Sequence, residues 1–221
     1  MQLPGQVKEY KLLMRTYKYQ GLEPYLPKGA LDLLEPLLNK YPLRVLVAKP
    51  RTSKFGDYRF PRKGSFHRIS VNGNLNCYHF LITLIHEYAH LEAYMLFGKN
   101  INPHGEEWQQ TFRLNSAAFI EQGLFPQDVA QAFMDSLEKG HASSARSLEL
   151  MRVLKNYDSK AASEEQHLEE LAEGDQFILN QKLFRKGAKS RKRFKCQELR
   201  SGRYYMVHPL AEVTLYTLKN D

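Results

Sequence analysis

Phe80-Leu-Ile-Thr-Leu-Ile-His-Glu-Tyr-Ala-His90 is the stretch on which the reading of this chain turns. Its apolar residues, continued by Leu91, surround nearly the whole circumference of a helix, a pattern that belongs to a helix buried in the middle of a domain. Two imidazoles and a carboxylate, His86, His90 and Glu87, are set into that apolar helix. Positions i and i+4 share a face, with Cβ atoms about 5–6 Å apart. Both rings can therefore reach a single Zn2+ at about 2.0–2.1 Å. Glu87, one step round the helix, is placed to take a proton from water as it attacks a carbonyl. The bland alternative is a pair of satisfied core histidines beside an incidental glutamate. It leaves polar and charged groups buried with no ion to offset their desolvation.

A catalytic zinc takes three protein ligands and keeps one position open. Metzincin spacing would put Gly and His where this chain has Ala93 and Leu96, so the third ligand lies elsewhere. His104 is the leading candidate, because it follows Pro103, precedes Gly105 and sits at the mouth of the next helix. Glu107 is the alternative, with Glu106 the other carboxylate nearby. A neutral histidine leaves the site more cationic than a carboxylate would. Trp108 reads as packing beneath this loop, and His67, His79, His141, His167 and His208 show no ligand spacing.

Working outward, Asn76 is placed to cap the long helix, which is expected to run to about Met95 before Gly98 ends it. Upstream, apolar spacing predicts helices over residues 8–19 and from Ala30 to Leu38, the second kinked or cut short at Pro36. Leu43–Ala48 reads as a strand, residues 49–66 as a long loop or loose hairpin, and His67–Val71 as an edge strand ending in the Asn72-Gly73 turn. Downstream, helices are expected from Pro103 to about Ile120, over 127–138 and over 144–157. Ser163–Leu171 is acidic and reads as a solvated linker helix. From Asp175 the period changes to that of short strands: Gln176–Leu179, Lys182–Arg185, Arg193–Cys196, Arg203–Val207 and Glu212–Tyr216.

The chain has 221 residues, enough for one good-sized domain and a small appendage. Its longest apolar run is too short to span a bilayer, and its first residues carry no signal-peptide pattern. Two cysteines, Cys77 and Cys196, in no C-x-x-C pair, are the usage of a reducing compartment, so the expected location is cytoplasmic. The net charge of +8 is concentrated in two blocks, Arg44–Arg68 and Lys182–Arg203. Each block contains a single acid, Asp57 and Glu198 respectively. Such blocks favour a polyanionic partner, nucleic acid first. In the second block Lys189, Arg191, Lys192, Arg193 and Lys195 are the candidate phosphate contacts, interleaved with Phe184, Phe194, Tyr204 and Tyr205. The alternative is that these aromatics fill a small β core and the cations solvate its edges.

His86-Glu-Tyr-Ala-His90, followed by His104-Gly-Glu-Glu-Trp108 and preceded by Ile69-Ser-Val-Asn-Gly73, resembles the SprT-like metallopeptidases, relatives of the Spartan DNA–protein crosslink protease. The resemblance covers roughly residues 10–125. It implies a zincin-like core with one zinc on His86, His90 and His104, and Glu87 as base. It also implies proteolysis of DNA-bound proteins, or at least work beside nucleic acid. Many members of that family carry a four-cysteine zinc ribbon after the core, whereas here Cys196 stands alone in that region. The expected architecture is thus α+β. A mainly helical zincin-like core with a small sheet over 1–160 is followed by a linker over 161–174 and a basic antiparallel β module over 175–221. The expected activity is zinc-dependent endopeptidase, with a protein substrate, a nucleic-acid partner and no membrane. The rival is a nucleic-acid-binding protein whose zinc is not catalytic. Oligomeric state is not legible.

Overall fold

The structure, a computed structural model, describes residues 19–51, 54–61, 65–140, 147–158 and 165–217. The helix read over 8–19 (Tyr19 apart), Arg62, Lys63 and His141 lie outside the described residues. Contacts divide the chain into two compact units, Met1–Ser159 and Lys160–Asp221.

The first unit is mixed α/β. After a 3-10 turn at Gln20–Tyr25 come α1 (Ala30–Lys40), β1 (Leu43–Ala48), β2 (Gly56–Arg59), β3 (His67–Asn72), α2 (Cys77–Phe97), α3 (Glu106–Glu121), α4 (Gln127–Glu138) and α5 (Leu148–Lys155). Helix α1 does not end at Pro36, because Leu34 and Leu38 on either side of it are fully buried and hold the turn in place. The three strands run in the order β1-β3-β2, with β1 parallel and β2 antiparallel to β3. His67–Asn72 is therefore the centre of the sheet, and the edge facing the metal-site helix is β2, inside the segment read as a loop or hairpin. Only pairing with β3 makes a strand of so short and polar a run.

Helix α2 is the axis of this unit, with 13 of its 21 residues buried. The Asn76 side chain accepts the His79 backbone N–H at 2.9 Å, and its amide donates to the Leu154 carbonyl at 2.8 Å and to Asp158 at 2.6 Å. The cap thus also ties the start of α2 to the end of α5. Gly98, at φ 81°, ends the helix with its N–H on the Tyr94 carbonyl. Each large side chain sealed here, such as Phe80, Leu81 or Leu84, contributes about 1.5–3 kcal/mol of burial. No helix of the described residues is long and apolar enough to cross a membrane.

The second unit is antiparallel throughout: β4 (Glu165–His167), β5 (Gln176–Leu179), β6 (Lys182–Arg185), β7 (Lys189–Ser190), β8 (Arg193–Glu198), β9 (Tyr204–Val207) and β10 (Glu212–Leu215). The order is β4-β10-β5-β6-β8-β7, with β9 on β8. Its core is Leu168, Leu171, Phe177, Phe184, Cys196, Val207 and Val213. The segment expected to be a solvated linker helix instead contains β4, paired with β10, and a 3-10 turn that buries Leu168 and Leu171 in this core. Glu170 is exposed while Leu168 and Leu171 are buried, a pattern that a net-charge reading misses.

Candidate metal centre

His86 and His90 stand one turn apart on α2, and His104 reaches them from the loop between α2 and α3. The His104 backbone is left-handed, at φ 62°, a conformation costly for a residue with a side chain. It is held by the Gly105 N–H on the Asn102 carbonyl at 2.8 Å and by the Gln109 side-chain amide on the His104 carbonyl at 3.1 Å. The Nε2 atoms of His86 and His90 lie 3.2 Å apart, those of His90 and His104 3.1 Å, and those of His104 and His86 3.4 Å. A tetrahedral ion bound at about 2.0–2.1 Å spaces its ligands about 3.3–3.4 Å apart, so this triangle has the size of one face of such a site.

Protons alone account poorly for the triangle. Each neutral ring offers one N–H or one lone pair at Nε2, so three mutual contacts leave at least one like pair, lone pair on lone pair or N–H on N–H, facing each other. Burial, with His90 and His104 adding to it, holds the His86 imidazole well below its usual range. Burial and His104 bring His90 down to about 3. Both effects favour the neutral, ligating form. The Trp108 ring packs against all three imidazoles, with centroids 4.8, 5.1 and 4.7 Å from His86, His90 and His104. Glu106 and Glu107 open α3 and are not among the side chains that converge here. The three histidines are the group of potential ligands found among the described residues.

Two carboxylates of α2 are buried, and they differ in kind. Glu92 is met by Lys40 at 2.6 Å. Glu87 has no Lys or Arg partner among the ion pairs of the described residues, and its Oε1 lies 4.0 Å from His86 Nε2. Burial pushes its carboxyl up to about 8, and Asp57 adds to this against the smaller opposing effects of Lys54, the Tyr58 backbone N–H and Arg51. Strand β2 crosses directly over it. A Cβ built on Gly56 would lie 2.5 Å from Glu87 Oε1 and 2.8 Å from the Thr83 methyl, so the strand approaches this closely only as glycine. The Asn72 N–H donates to the Phe55 carbonyl, so alternation turns the backbone groups of Gly56 and Tyr58 to the open edge of the sheet. Sequence reasoning misses Gly56 as a site residue. No local pattern marks it, because the run around it, Gly-Asp-Tyr-Arg, is short and polar.

Residues 43–127 match the SprT-like family. That SprT-like stretch runs from β1 to the first residue of α4 and contains His86, Glu87, His90 and His104. The chain is 59% identical over 39 residues to Protein SprT of Pseudomonas fluorescens strain SBW25, covering 17% of this chain and 24% of that protein. It is 61% identical over 36 residues to Protein SprT of Pseudomonas aeruginosa strain LESB58, covering 16% and 22%. The matched stretches thus span less than a quarter of the length of these SprT relatives. No solved structure matches the chain.

Of the cations read as phosphate contacts, Lys189, Arg191, Lys192, Arg193 and Lys195 are all exposed on the β7–β8 hairpin. They are divided between its faces: Lys189 pairs in register with Phe194, whereas Arg193 and Lys195 point the other way. Lys195 sits 4.4 Å over the exposed Tyr204 ring, and Arg193 donates to the Met206 carbonyl. Phe184 is buried, and Phe194 is half-buried under Lys186, so neither is a free stacking surface. In the upstream block Arg51 is tied to Asn72 and Ser70, and Lys54 and Arg59 are both paired with Asp57.

Proposed function

We propose that the first unit is a zincin-like, zinc-dependent endopeptidase that acts on proteins associated with nucleic acid. It holds one Zn2+ on His86, His90 and His104 and uses Glu87 as its base. The observation that carries this reading is the convergence of three Nε2 atoms beside a buried carboxylate with no Lys or Arg ion-pair partner among the described residues. Zinc bound there would supply a Lewis acid for the scissile carbonyl. The chain's own residues do the rest. Glu87 takes the proton of the attacking water and passes it to the leaving amine. Burial raises its carboxyl above the usual range, which favours its holding the proton between the two transfers. The open edge of β2, which faces this carboxylate, holds an extended substrate by backbone hydrogen bonds.

The nucleic-acid partner is supported by the net charge of +8 and by Lys195 over the exposed Tyr204 ring. The rival is a binding protein with a structural zinc, which gives Glu87 no task. Casein and histone digestion, with and without DNA, separates the two. Cleavage by the native protein that Glu87→Gln abolishes supports the peptidase. Zinc-loaded protein that cuts nothing supports the rival.

A further inference from the structure

Strand β2 and the residue after it track helix α2 step for step. Gly56 lies over Glu87, the Tyr58 ring is parallel to His90 at 6.5 Å, and the Phe60 ring meets Tyr94 edge-on at 4.8 Å. Two residues of strand advance about 6.6 Å and three or four of helix about 5 Å, so the match holds over this length. The charges of β2 fall on the odd residues, where Asp57 pairs with Lys54 and Arg59. The even-numbered row, Gly56, Tyr58 and Phe60, is uncharged in a chain of net charge +8. Phe60 is 57% exposed, and Phe97, one turn beyond Tyr94 on the same face of α2, is 48% exposed. An aromatic shelf therefore leads outward from His90 at the open edge of the sheet, and large apolar groups left bare in this way mark binding surfaces.

Building on the peptidase reading, we propose that Phe60 and Tyr94 form the specificity subsite of this centre. The subsite seats an aromatic or large aliphatic side chain on one flank of the cut bond of an extended substrate. The occupant is apolar because, among the described residues, the shelf presents rings and no charge. It is a substrate side chain because the shelf is continuous, through Tyr58, with the histidine cluster.

The test uses two fluorescein-labelled peptides that differ only in Phe against Gly near the cut bond. Their positions are taken from cut sites mapped by mass spectrometry in a casein digest or, where nothing is cut, by scanning Phe along the peptide. Binding is read by anisotropy on zinc-loaded full-length Glu87→Gln protein, which holds substrate without consuming it. The Phe peptide should bind about tenfold tighter than the Gly peptide, the size of effect one buried apolar group gives. Phe60→Ala, at an exposed position, should erase that preference, and Phe60→Leu should restore part of it. No preference, or one indifferent to Phe60, overturns the shelf. Absence of cleavage by the native protein while the Phe60-dependent preference persists overturns the peptidase reading and leaves the shelf standing.

Discussion

Gly56 stands over Glu87 so closely that a single added carbon would lie 2.5 Å from the carboxylate oxygen. The contact fixes both partners at once, because the strand rests on the carboxylate and the carboxylate is desolvated by the strand. Gly56→Ala must therefore move one of them. Overpacking of this kind costs about 1–3 kcal/mol. The variant should remain folded and bind zinc as the native protein does, yet lose most of its casein cleavage. Urea denaturation and metal analysis, run beside the protease assay, check this. Native activity in the variant would mean that the strand position is irrelevant to the chemistry.

The cap of α2 gives a prediction about stability. Asn76 makes three hydrogen bonds, one to its own helix and two to the region of α5. Asn76→Ala removes the cap and both links to the end of α5, while the Leu154 carbonyl keeps the Tyr157 N–H, and this should cost about 0.5–2 kcal/mol. Asn76→Asp keeps the cap but brings a second carboxylate against Asp158, so it should recover only part of the loss. Equal stability of the alanine variant in urea would contradict the cross-link.

How much of this is legible in the sequence differs by element. Helix α2 is, because its motif and its all-round apolar pattern are local, and α4 is because its buried residues Val129, Ala132, Phe133 and Ser136 recur at helical spacing. β2 and β4 are not. Gly-Asp-Tyr-Arg and Glu-Gln-His carry too few apolar residues to show a period, and they become strands only by pairing with β3 and β10. The convergence of His104 is readable from its Pro and Gly neighbours, though its left-handed backbone is not. Gly56 is invisible for a deeper reason: its need to be glycine is imposed by a side chain on a distant helix.

His79 supplies the pH dependence. Burial, with Lys155 adding to it, lowers its imidazole from the usual 6.5 to about 4. The folded state thus favours the neutral ring. Its contribution to stability is fully present above about 6.5 and is lost as pH falls towards 4, where the unfolded chain binds the extra proton. His79→Gln should flatten the part of the stability curve between those values when both proteins are melted at matched pH. A parallel loss in both proteins would assign the titration to other groups.

For the second unit, replacing Lys189, Arg191, Lys192, Arg193 and Lys195 together should weaken nucleic-acid binding. It should also lower the slope of log K against log[salt] by about 0.7 for each single-strand phosphate that is no longer neutralised. Zinc content should not change, since the three histidines lie in the other unit. Unchanged binding and slope would mean that these cations only solvate the hairpin.

The central claim is that His86, His90 and His104 hold one zinc while Glu87 serves catalysis without holding it. Metal stoichiometry by mass spectrometry, on protein purified without chelators and incubated with zinc, tests it most directly. The account predicts one zinc per chain in the native protein and in Glu87→Gln, and close to none in His86→Ala, His90→Ala and His104→Ala. Folded native protein that stays metal-free, or Glu87→Gln that loses its zinc with the histidine variants, would contradict it.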